Sequence, residues 1–530
     1  MSFNNLGNKN LGKNLATVYS AELEGVNAKL IEVEIDINVG IHAFNIVGLA
    51  DKALNEAKER VNSALKNSGA KPPNRENRKI TINLAPADVK KTGSQYDLAI
   101  ALGYLAATKQ IKEFEMSDKI FLGELALDGR LRPVNGALNV AQMASEKGFE
   151  YLFLPAENAD EAAAIKNIKV ISIENLREAI DVLEMRKGMN AAAYTTHAIA
   201  TNKRDAPPDF SEIKGQGNAK RALTIAAAGR HNILMTGPPG VGKSFLARAF
   251  AGILPDLELE EAIEVTKIWS AAGLRPGGLI RERPFRAPHQ TASMMALVGG
   301  GQDPRPGEIS LAHQGVLFLD EIPEFQKNVL EALRQPMEAG FIQVSRAKGT
   351  LVFPAKFTLV AAMNPCPCGY YGDTERECKC SAYEVIKYQK RISGPLLDRI
   401  DLQIKLGRVK IEELRQGERG ELQSPAIKEA VERTKEKQKR RFGGGGNGGD
   451  NASNVPKTNS EMSSREAQEI IKLDRDGEQF LQSLDKAILS PRSYYRLLKV
   501  ARTIADLEND ALVSAEHLAE AFSYRLRDSI

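Results

Sequence analysis

The stretch Gly237-Pro-Pro-Gly-Val-Gly-Lys-Ser244 fits the pattern G-x-x-x-x-G-K-[ST] at every fixed position. The run before it, residues 231–236, is His-Asn-Ile-Leu-Met-Thr, which is typical of a short buried strand. The run after it, residues 245–253, is apolar-rich and favours a helix. Because the motif needs this strand–loop–helix context, the sequence predicts a phosphate-binding loop. The alternative is an ordinary glycine-rich turn.

Each part of this loop has an expected role. The glycines let successive backbone N–H groups point inward at a phosphate, and the following helix N-terminus adds a partial positive charge. Lys243 is expected to reach the β- and γ-phosphates of ATP, and Ser244 to hold Mg²⁺. The predicted nucleotide-binding residues are Gly237, Pro238, Pro239, Gly240, Val241, Gly242, Lys243 and Ser244.

Two further buried strands end in polar side chains. Residues 315–322 place Asp320 and Glu321 after four apolar residues. We expect Asp320 to join the Mg²⁺ shell and Glu321 to orient and polarise the attacking water. Residues 358–364 end in Asn364, which fits a sensor of the γ-phosphate. The alternatives are a surface acidic pair and an ordinary strand-end turn.

Size and charge set broad limits. The chain has 530 residues, which suggests about three or four domains. Its 72 basic and 68 acidic side chains nearly balance, so any DNA-binding surface must be local. Residues 1–14 lack the apolar core of a secretory signal, and the longest apolar stretch, near residues 98–107, is too short to span a bilayer. A cytoplasmic location without membrane contact is therefore expected.

All four cysteines lie close together in the sequence. They form the pattern C-x-C, nine residues, then C-x-C, at Cys366, Cys368, Cys378 and Cys380. Four thiolates can close a tetrahedral zinc site, and a glycine-containing loop without its own core would gain stability from a metal. The C-x-C pairs are tighter than the usual C-x-x-C. The alternative is four reduced free thiols.

The N-terminal third mixes strands and helices. Residues 29–39 and 79–84 have strand patterns, whereas residues 51–68 and 95–107 favour helices. Further strands are predicted at residues 120–125 and 152–155, with a helix at residues 139–147 between them. This pattern indicates an α+β domain over residues 1–189.

This region resembles the Lon-protease-like domain of magnesium-chelatase-like ATPases. The matching segments are Phe44-Asn-Ile-Val-Gly-Leu, Asn83-Leu-Ala-Pro-Ala-Asp and Gly123-Glu-Leu-Ala-Leu-Asp-Gly-Arg-Leu-Arg-Pro133. The Ser–Lys pair of Lon-type proteases falls here on Gln95 and Val140, which can act as neither nucleophile nor base. Ser94 lies one residue early. We therefore expect an inactive protease fold, which peptide hydrolysis lost in Ser94→Ala would contradict.

Residues 190–209 are rich in Ala, Thr, Asn and Pro and predict a linker. Residues 408–530 are predicted to form a helical lid with a glycine-rich insertion at 443–459. The segment Ser490-Pro-Arg-Ser493 fits a capped helix start. The resemblance to magnesium-chelatase-like ATPases implies that Arg492 matches the position of a second sensor arginine, with Arg496 and Arg502 as competing choices.

The whole pattern resembles the ComM/YifB family of magnesium-chelatase-like AAA+ ATPases, from about residue 15 to residue 528. The matching segments are the phosphate loop, Leu319-Asp-Glu-Ile, Ala362-Met-Asn-Pro-Cys-Pro-Cys-Gly369, Gly394-Pro-Leu-Leu-Asp-Arg and Val500-Ala-Arg-Thr-Ile-Ala-Asp-Leu507. The resemblance implies an α/β fold, with a P-loop AAA+ core of doubly wound parallel sheet over residues 210–407. It also implies a homo-oligomeric ring, expected to be a hexamer.

The same resemblance gives Arg399 a role. At this position in AAA+ ATPases an arginine faces the nucleotide of the neighbouring subunit, and its planar fork suits phosphate oxygens. A local salt bridge with Asp398 or Asp401 is the alternative.

Two basic segments are candidates for contact with DNA. Residues 270–306 correspond in this ATPase class to an insertion that projects into the ring pore, and they contain Arg281, Arg283 and Arg286. Residues 341–353 predict a hairpin with Arg346 and Lys348 near its tip. Basic pore loops would suit a phosphate backbone. The alternative is that these side chains are solvated or pair within the ring.

Together these features predict an ATP-driven ring motor acting on single-stranded or branched DNA, with helicase or branch-migration activity as in natural transformation. A second hypothesis is a chelatase-type or chaperone-type ATPase that remodels a protein partner. A passive DNA-binding scaffold is a third, and Lys243, Asp320 and Glu321 argue against it.

Overall fold

A computed structural model describes residues 14–48, 51, 54, 56–75, 77–194, 206–274, 277–301, 304–346, 349–409, 423–443, 456–484 and 490–525. The chain divides into two compact units. The first contains residues 1–199, 258–281 and 304–306, and the second contains residues 200–257, 282–303 and 307–530.

The strands, in chain order, are β1 (Leu15–Glu24), β2 (Asn27–Val39), β3 (Ala43–Val47), β4 (Arg78–Ala85), β5 (Lys119–Phe121), β6 (Glu124–Leu125), β7 (Leu131–Arg132), β8 (Tyr151–Pro155), β9 (Lys169–Ile173), β10 (Ile233–Thr236), β11 (Phe285–Arg286), β12 (Gly299–Gly300), β13 (Arg305–Pro306), β14 (Val316–Leu319), β15 (Phe341–Arg346), β16 (Gly349–Pro354), β17 (Thr358–Met363) and β18 (Leu402–Lys405).

The α-helices are α1 (Ala57–Asn67), α2 (Asp97–Ala107), α3 (Ala137–Glu146), α4 (Ala159–Ala162), α5 (Leu176–Leu183), α6 (Gly217–Gly229), α7 (Lys243–Gly252), α8 (Leu259–Ala271), α9 (Met294–Val298), α10 (Glu308–Leu311), α11 (Lys327–Ala332), α12 (Arg334–Ala339), α13 (Ala382–Gln389), α14 (Gly394–Leu397), α15 (Ser424–Gly443), α16 (Ser464–Ile470), α17 (Arg475–Leu484), α18 (Pro491–Glu508) and α19 (Ala515–Ser523).

The first unit is built on a mixed sheet with strand order β3-β4-β2-β1-β5-β8-β9. The long strands β1, β2 and β4 pair antiparallel, and β5, β8 and β9 add parallel neighbours. The alternating apolar residues of β2, among them Ile31, Val33 and Ile35, are buried against α2. Most strand and helix predictions for this region are confirmed with small shifts of the ends. Two are not: the strand predicted at residues 120–125 is split into β5 and β6, which belong to different sheets, and the helix predicted at residues 51–68 corresponds to the shorter α1.

The positions that carry the catalytic serine and lysine of Lon-type proteases have different residues and different contacts here. Ser94 donates a hydrogen bond to the carboxylate of Glu124, and Gln95 Nε2 donates to Glu22 Oε2 at 3.1 Å. Val140 is a buried residue of α3. Neither Gln95 nor Val140 can supply a nucleophile or a base, and the inactive fold stays a prediction.

One segment that the sequence assigns to the ATPase core packs with the N-terminal residues instead. Gly136 N and Asn139 Nδ2 donate to backbone oxygens of Ser270 and Lys267 at 3.2 Å each. Leu279 shares a small apolar cluster with Leu138. The predicted core of residues 210–407 is therefore interrupted in the structure by residues 258–281 and 304–306. The sequence missed this because apolar helix residues do not reveal which surface they cover.

The second unit contains a sheet of five parallel strands with order β11-β14-β17-β10-β18. Its central strands are buried on both faces, which explains their continuous apolar sequences. The mixed α/β class with a parallel sheet, as predicted, is confirmed. Because neighbouring parallel strands end at the same edge, residues 237, 320 and 364 all lie just beyond that edge.

The C-terminal helices share one hydrophobic cluster with this sheet, in which Leu497 and Ile504 of α18 join Leu223 and Phe250. The predicted lid is thus part of the same compact unit as the sheet. Gln438 Nε2 of α15 donates to Ala228 O at 3.0 Å and strengthens this packing.

Parts of several predicted segments lie outside the described residues. They include residues 195–205 of the linker, residues 275–276 and 302–303 of the first basic segment, residues 347–348 of the second, with Lys348, residues 410–422, 485–489 and 526–530 of the lid, and residues 444–455 of the glycine-rich insertion. The hairpin itself is confirmed, with Phe341 opposite Pro354 in antiparallel register. Among the described residues, no helix is long and apolar enough to cross a membrane.

Candidate nucleotide site

The predicted phosphate loop connects β10 to α7. Gly240 and Gly242 adopt φ values of 82° and 88°, in the left-handed region that favours glycine. Gly237 is constrained differently, because a β-carbon there would lie 2.7 Å from Leu406 O. Backbone conformation and close packing thus account for the glycines of the motif.

Lys243 is the charged residue of the loop, and its side chain is buried. Its Nζ donates to Gly237 O at 2.6 Å, to Pro238 O at 2.9 Å and to Asn364 Oδ1 at 3.0 Å. Burial lowers the pKa of Lys243 from its ordinary value, although the charges of Asp320 and Glu321 act to raise it. An ammonium group held in this way lies in the centre of the loop, where an anion would meet it.

Ser244 and Asp320 form the second pair of the site. Ser244 Oγ donates to Asp320 Oδ2 at 2.6 Å, which joins the first turn of α7 to the end of β14. A hydroxyl and a carboxylate oxygen in this position are the ligand types that Mg²⁺ takes at nucleotide sites. The donor set therefore fits a magnesium ion bound together with a phosphate.

Glu321 follows Asp320 in an unusual backbone conformation. Its φ is 50°, which non-glycine residues rarely adopt, and its backbone N donates to Asp320 Oδ1 at 3.0 Å. Strained positions of this kind persist where the surrounding structure holds them, and they cluster at functional sites. The conformation fixes where the Glu321 side chain leaves the backbone, beside the Asp320 carboxylate.

Asn364 reaches the site from the strand between the other two. β17 pairs with β10 on one side and β14 on the other, with Met363 opposite Thr236 and Ala361 opposite Leu319. Its side chain accepts a hydrogen bond from Lys243. The structure thus brings together Lys243, Ser244, Asp320 and Asn364, all of which the sequence analysis selected.

Arg399 and Arg492 are brought together on a shared carboxylate. Arg399 Nη2 lies 2.7 Å from Glu338 Oε1, and Arg492 Nη2 contacts the same oxygen. Partial burial alone would raise the pKa of Glu338, but the hydrogen bond from Arg399 and the positive charges of both arginines hold it below its ordinary value. Glu338 and Arg492 line a cleft of about 630 Å³. Within the described residues, the lining of this cleft includes no residue of the phosphate loop.

The competing sensor choices are engaged elsewhere. Arg496 Nη1 binds Asp401 Oδ1 at 2.9 Å, and Arg502 Nη2 binds Asp506 Oδ1 at 2.9 Å. Both arginines are largely buried, whereas the Arg492 side chain is 39% exposed. Arg492 is therefore the member of this set that a second molecule can reach without breaking a buried ion pair.

The arginines proposed for DNA contact have several different settings. Arg283 donates to Pro255 O at 2.7 Å and to Gln314 O at 2.6 Å, and Arg286 forms a two-pronged pair with Glu308 at 2.6 and 2.7 Å. These contacts agree with the alternative of internal pairing. Arg281 ends a segment of the first unit. The side chain of Arg346 and the whole of Lys348 lie outside the described residues.

The four cysteines converge in space. Their sulfur atoms all lie within 4.8 Å of one another. Three of the distances are 3.4 Å for Cys366–Cys368 and 3.6 Å from each of these to Cys378. In a tetrahedral site with Zn–S bonds of about 2.3 Å, the sulfurs would be roughly 3.8 Å apart. Backbone N–H groups of Cys368 and Tyr371 donate to Cys380 and Cys366 sulfurs at 3.4 and 3.3 Å. The arrangement fits a four-sulfur metal site.

Sequence reasoning missed Glu338, which has no motif around it and becomes significant only because two distant arginines meet on it. It also missed that the cysteine segment, residues 364–381, lies against Pro239, where a β-carbon at Gly369 would be 2.7 Å from Pro239 Cδ. The pattern C-x-C next to Asn364 was the only available signal, because it places the first cysteine two residues beyond the sensor position.

Three family profiles match the chain. Magnesium chelatase, subunit ChlI, matches residues 209–414; a second profile for subunit ChlI of Mg-chelatase matches residues 33–158; and the ChlI C-terminal profile matches residues 421–525. These matches cover both units of the structure.

Full-length relatives are also found. Competence protein ComM of Haemophilus influenzae is 42% identical over 515 residues, covering 96% of this chain and 97% of that protein. YifB of Escherichia coli is 40% identical over 522 residues, covering 97% of this chain and 98% of that protein. The magnesium-chelatase 38 kDa subunit of Rhodobacter capsulatus is 28% identical over 174 residues, covering 29% of this chain and 50% of that protein.

We predict that Glu321→Gln separates nucleotide binding from hydrolysis. The amide keeps the shape of the side chain but cannot polarise a water, so kcat for ATP should fall by about 10²- to 10⁴-fold while Mg-ATP affinity is retained. Phosphate release and fluorescent-nucleotide binding measure the two quantities. Glu324→Gln is the matched control, because Glu324 lies in the same turn and pairs with exposed Arg391. Equal losses in both variants would refute the assignment.

Proposed function

Because the chain belongs to the ComM/YifB family of magnesium-chelatase-like AAA+ ATPases, we propose that it is an ATP-driven ring motor that moves or remodels branched DNA during competence. The observation that carries this proposal is the meeting of Lys243, Ser244, Asp320 and Asn364 at the ends of three adjacent parallel strands. That arrangement can hold a magnesium-bound triphosphate.

Each side chain of the nucleotide site has a separate role in this proposal. Lys243 gives up its contacts with the Gly237 and Pro238 carbonyls to bind the β- and γ-phosphates. Asn364, already hydrogen-bonded to Lys243, senses the γ-phosphate, and Glu321 orients the attacking water. Bound Mg²⁺ supplies charge neutralisation of the phosphate oxygens, held through Ser244 and Asp320.

Arg399 completes the site of a neighbouring copy. Its Nη1 donates to Pro395 O at 2.6 Å and its Nη2 pairs with Glu338, but its Nε is buried with no hydrogen-bond partner among the described residues. Because Arg399 is buried, it would have to leave Glu338 to meet the phosphate of a neighbouring copy, for which its planar fork is suited. Arg492, on the same carboxylate, would report the nucleotide state to the helices around α18. We propose a homo-oligomeric ring, expected to be a hexamer, as the family resemblance implies.

Contact with DNA is assigned to the β15–β16 hairpin. The sequence predicts Arg346 and Lys348 near the turn of this hairpin, whereas Arg283 and Arg286 are occupied by internal partners. The name of the Haemophilus influenzae relative, competence protein ComM, supports a role in competence. In this proposal the N-terminal unit is a Lon-protease-like fold used for assembly or for guiding a ligand.

The four cysteines are proposed to hold a structural zinc ion. Four sulfurs within 4.8 Å, two of them accepting backbone N–H bonds, match a closed tetrahedral site.

The zinc proposal predicts that carefully purified protein contains one zinc per chain by elemental analysis. Replacing Cys368 and Cys380 with serine should remove the zinc, because two thiolates no longer close the site. Ser381→Ala, next to Cys380, is the control that should keep its zinc. Wild-type protein free of zinc would refute the proposal.

DNA contact by the hairpin predicts that ATP hydrolysis rises with single-stranded or forked DNA. Arg346→Ala with Lys348→Ala should reduce this stimulation without changing basal hydrolysis, and the slope of log K against log salt should fall by about 2. Arg433→Ala with Arg440→Ala removes equal charge from the exposed face of α15 and should have no effect. A wild-type ATPase indifferent to DNA would refute the DNA motor and favour a protein substrate.

If Arg399 acts on the nucleotide of a neighbouring subunit, two inactive variants should complement each other. Lys243→Ala and Arg399→Ala should each lose hydrolysis, but a mixture should regain activity, because roughly one interface in four joins an intact Arg399 to an intact Lys243 when two subunit types pair at random. Arg465→Ala, which removes an exposed arginine of α16, should remain active alone. A mixture as inactive as its parts would show that Arg399 acts within its own subunit.

A further inference from the structure

The cysteine segment touches the phosphate loop directly. Gly369, one residue after Cys368, has φ of 85° and lies against Pro239. A β-carbon at Gly369 would be 2.7 Å from Pro239 Cδ and 3.9 Å from Asn364 Cγ. The backbone of the cysteine segment therefore forms one wall beside both the loop and the predicted γ-phosphate sensor.

The segment has a second attachment beyond its contact with Pro239. Arg408 Nε donates to Asp373 Oδ2 at 2.9 Å, and Arg408 Nη1 donates to Glu375 at 2.9 Å. Arg408 lies two residues beyond Leu406, whose carbonyl packs against Gly237. The cysteine segment is thus attached, through the Arg408 side chain, to the stretch after β18 that approaches Gly237 at the start of the phosphate loop.

The segment has no regular secondary structure of its own. Residues 364–381 contain no α-helix or strand in the structure, although every residue of this stretch is described. Cys366 is its one fully buried cysteine. Ordering a loop without helix or strand costs backbone conformational entropy. A tetrathiolate metal would fix the sulfur positions, and with them Gly369, because metal binding energy becomes folding energy of the segment.

We infer that the metal held by the four cysteines sets the position of the phosphate loop, so that occupancy of the cysteine site controls the affinity for nucleotide. This inference rests on the zinc site and the nucleotide site of the proposed function. The contact that transmits the effect is Gly369 on Pro239, next to Asn364 and Lys243.

The first test changes the contact and leaves the four thiols intact. Gly369→Ala places a methyl group against Pro239, so the zinc content should stay at the wild-type value while affinity for a fluorescent Mg-nucleotide falls by about tenfold, the scale expected for a small displacement of a binding group. Gly372→Ala is the matched control. Gly372 has φ of 76° and nothing within 4 Å of its β-carbon position, so the backbone strain is similar but the contact is absent. Equal affinity in the two variants would overturn the inference.

The second test removes the metal. The variant with serine at Cys368 and Cys380 should contain no zinc and should bind nucleotide more weakly than wild type, with circular dichroism showing that the helices remain. Unchanged nucleotide affinity in zinc-free, folded protein would overturn the inference. If this variant fails to fold, the Gly369→Ala comparison decides.

The outcomes separate the inference from its premises. Wild-type protein without zinc removes the zinc assignment and the inference with it. Wild-type protein that contains zinc but binds no nucleotide refutes the proposed nucleotide site. If wild-type protein binds both zinc and nucleotide, but Gly369→Ala and Gly372→Ala have equal nucleotide affinity, only the coupling between the two sites is refuted.

Discussion

Parallel pairing of β10, β17 and β14 is the constraint on which the candidate site depends. Parallel strands present their carboxyl ends at one edge, so residues far apart in the chain emerge side by side. The hydrogen bonds from Lys243 to Asn364 and from Ser244 to Asp320 follow from that register. A change of register would separate these groups even if every side chain were kept.

A second group of charges lies at a different place in the same unit, where Glu338 holds Arg399 and Arg492. Buried ion pairs hold this group of charges in place. Asp401, two residues after Arg399, pairs with both Arg496 and His231. Burial alone would raise the pKa of Asp401, but the charge of Arg496 and the contact with His231 hold it well below its usual range. Separating the partners of a buried ion pair destabilises the folded protein, so the segment that carries Arg399 has little freedom to move.

The cysteine segment lies against the phosphate loop, because Gly369 contacts Pro239. A loop without helix or strand can hold a neighbouring element only if something fixes its own shape, and four converging thiols offer that possibility. Its contact with Pro239 requires glycine at 369, because a side chain would occupy the space of the proline ring. Segments 258–281 and 304–306, by contrast, leave the ATPase unit and pack with the N-terminal residues.

The sequence alone determined the elements whose signals are local. The glycine loop, the apolar strands ending in Asp320 and Asn364, the hairpin at residues 341–353 and the spacing of the cysteines were all readable, because each depends on backbone preference and short-range periodicity. Only the tertiary structure decided which surface α8 covers, that Arg496 and Arg502 are buried in ion pairs, that Arg399 and Arg492 share Glu338, and that Gly369 lies on Pro239. Apart from the Arg502–Asp506 pair, which joins residues four positions apart on α18, these contacts join residues separated by tens to hundreds of positions. They escape sequence patterns because side-chain type constrains what a residue can bind but not which distant partner the fold brings to it.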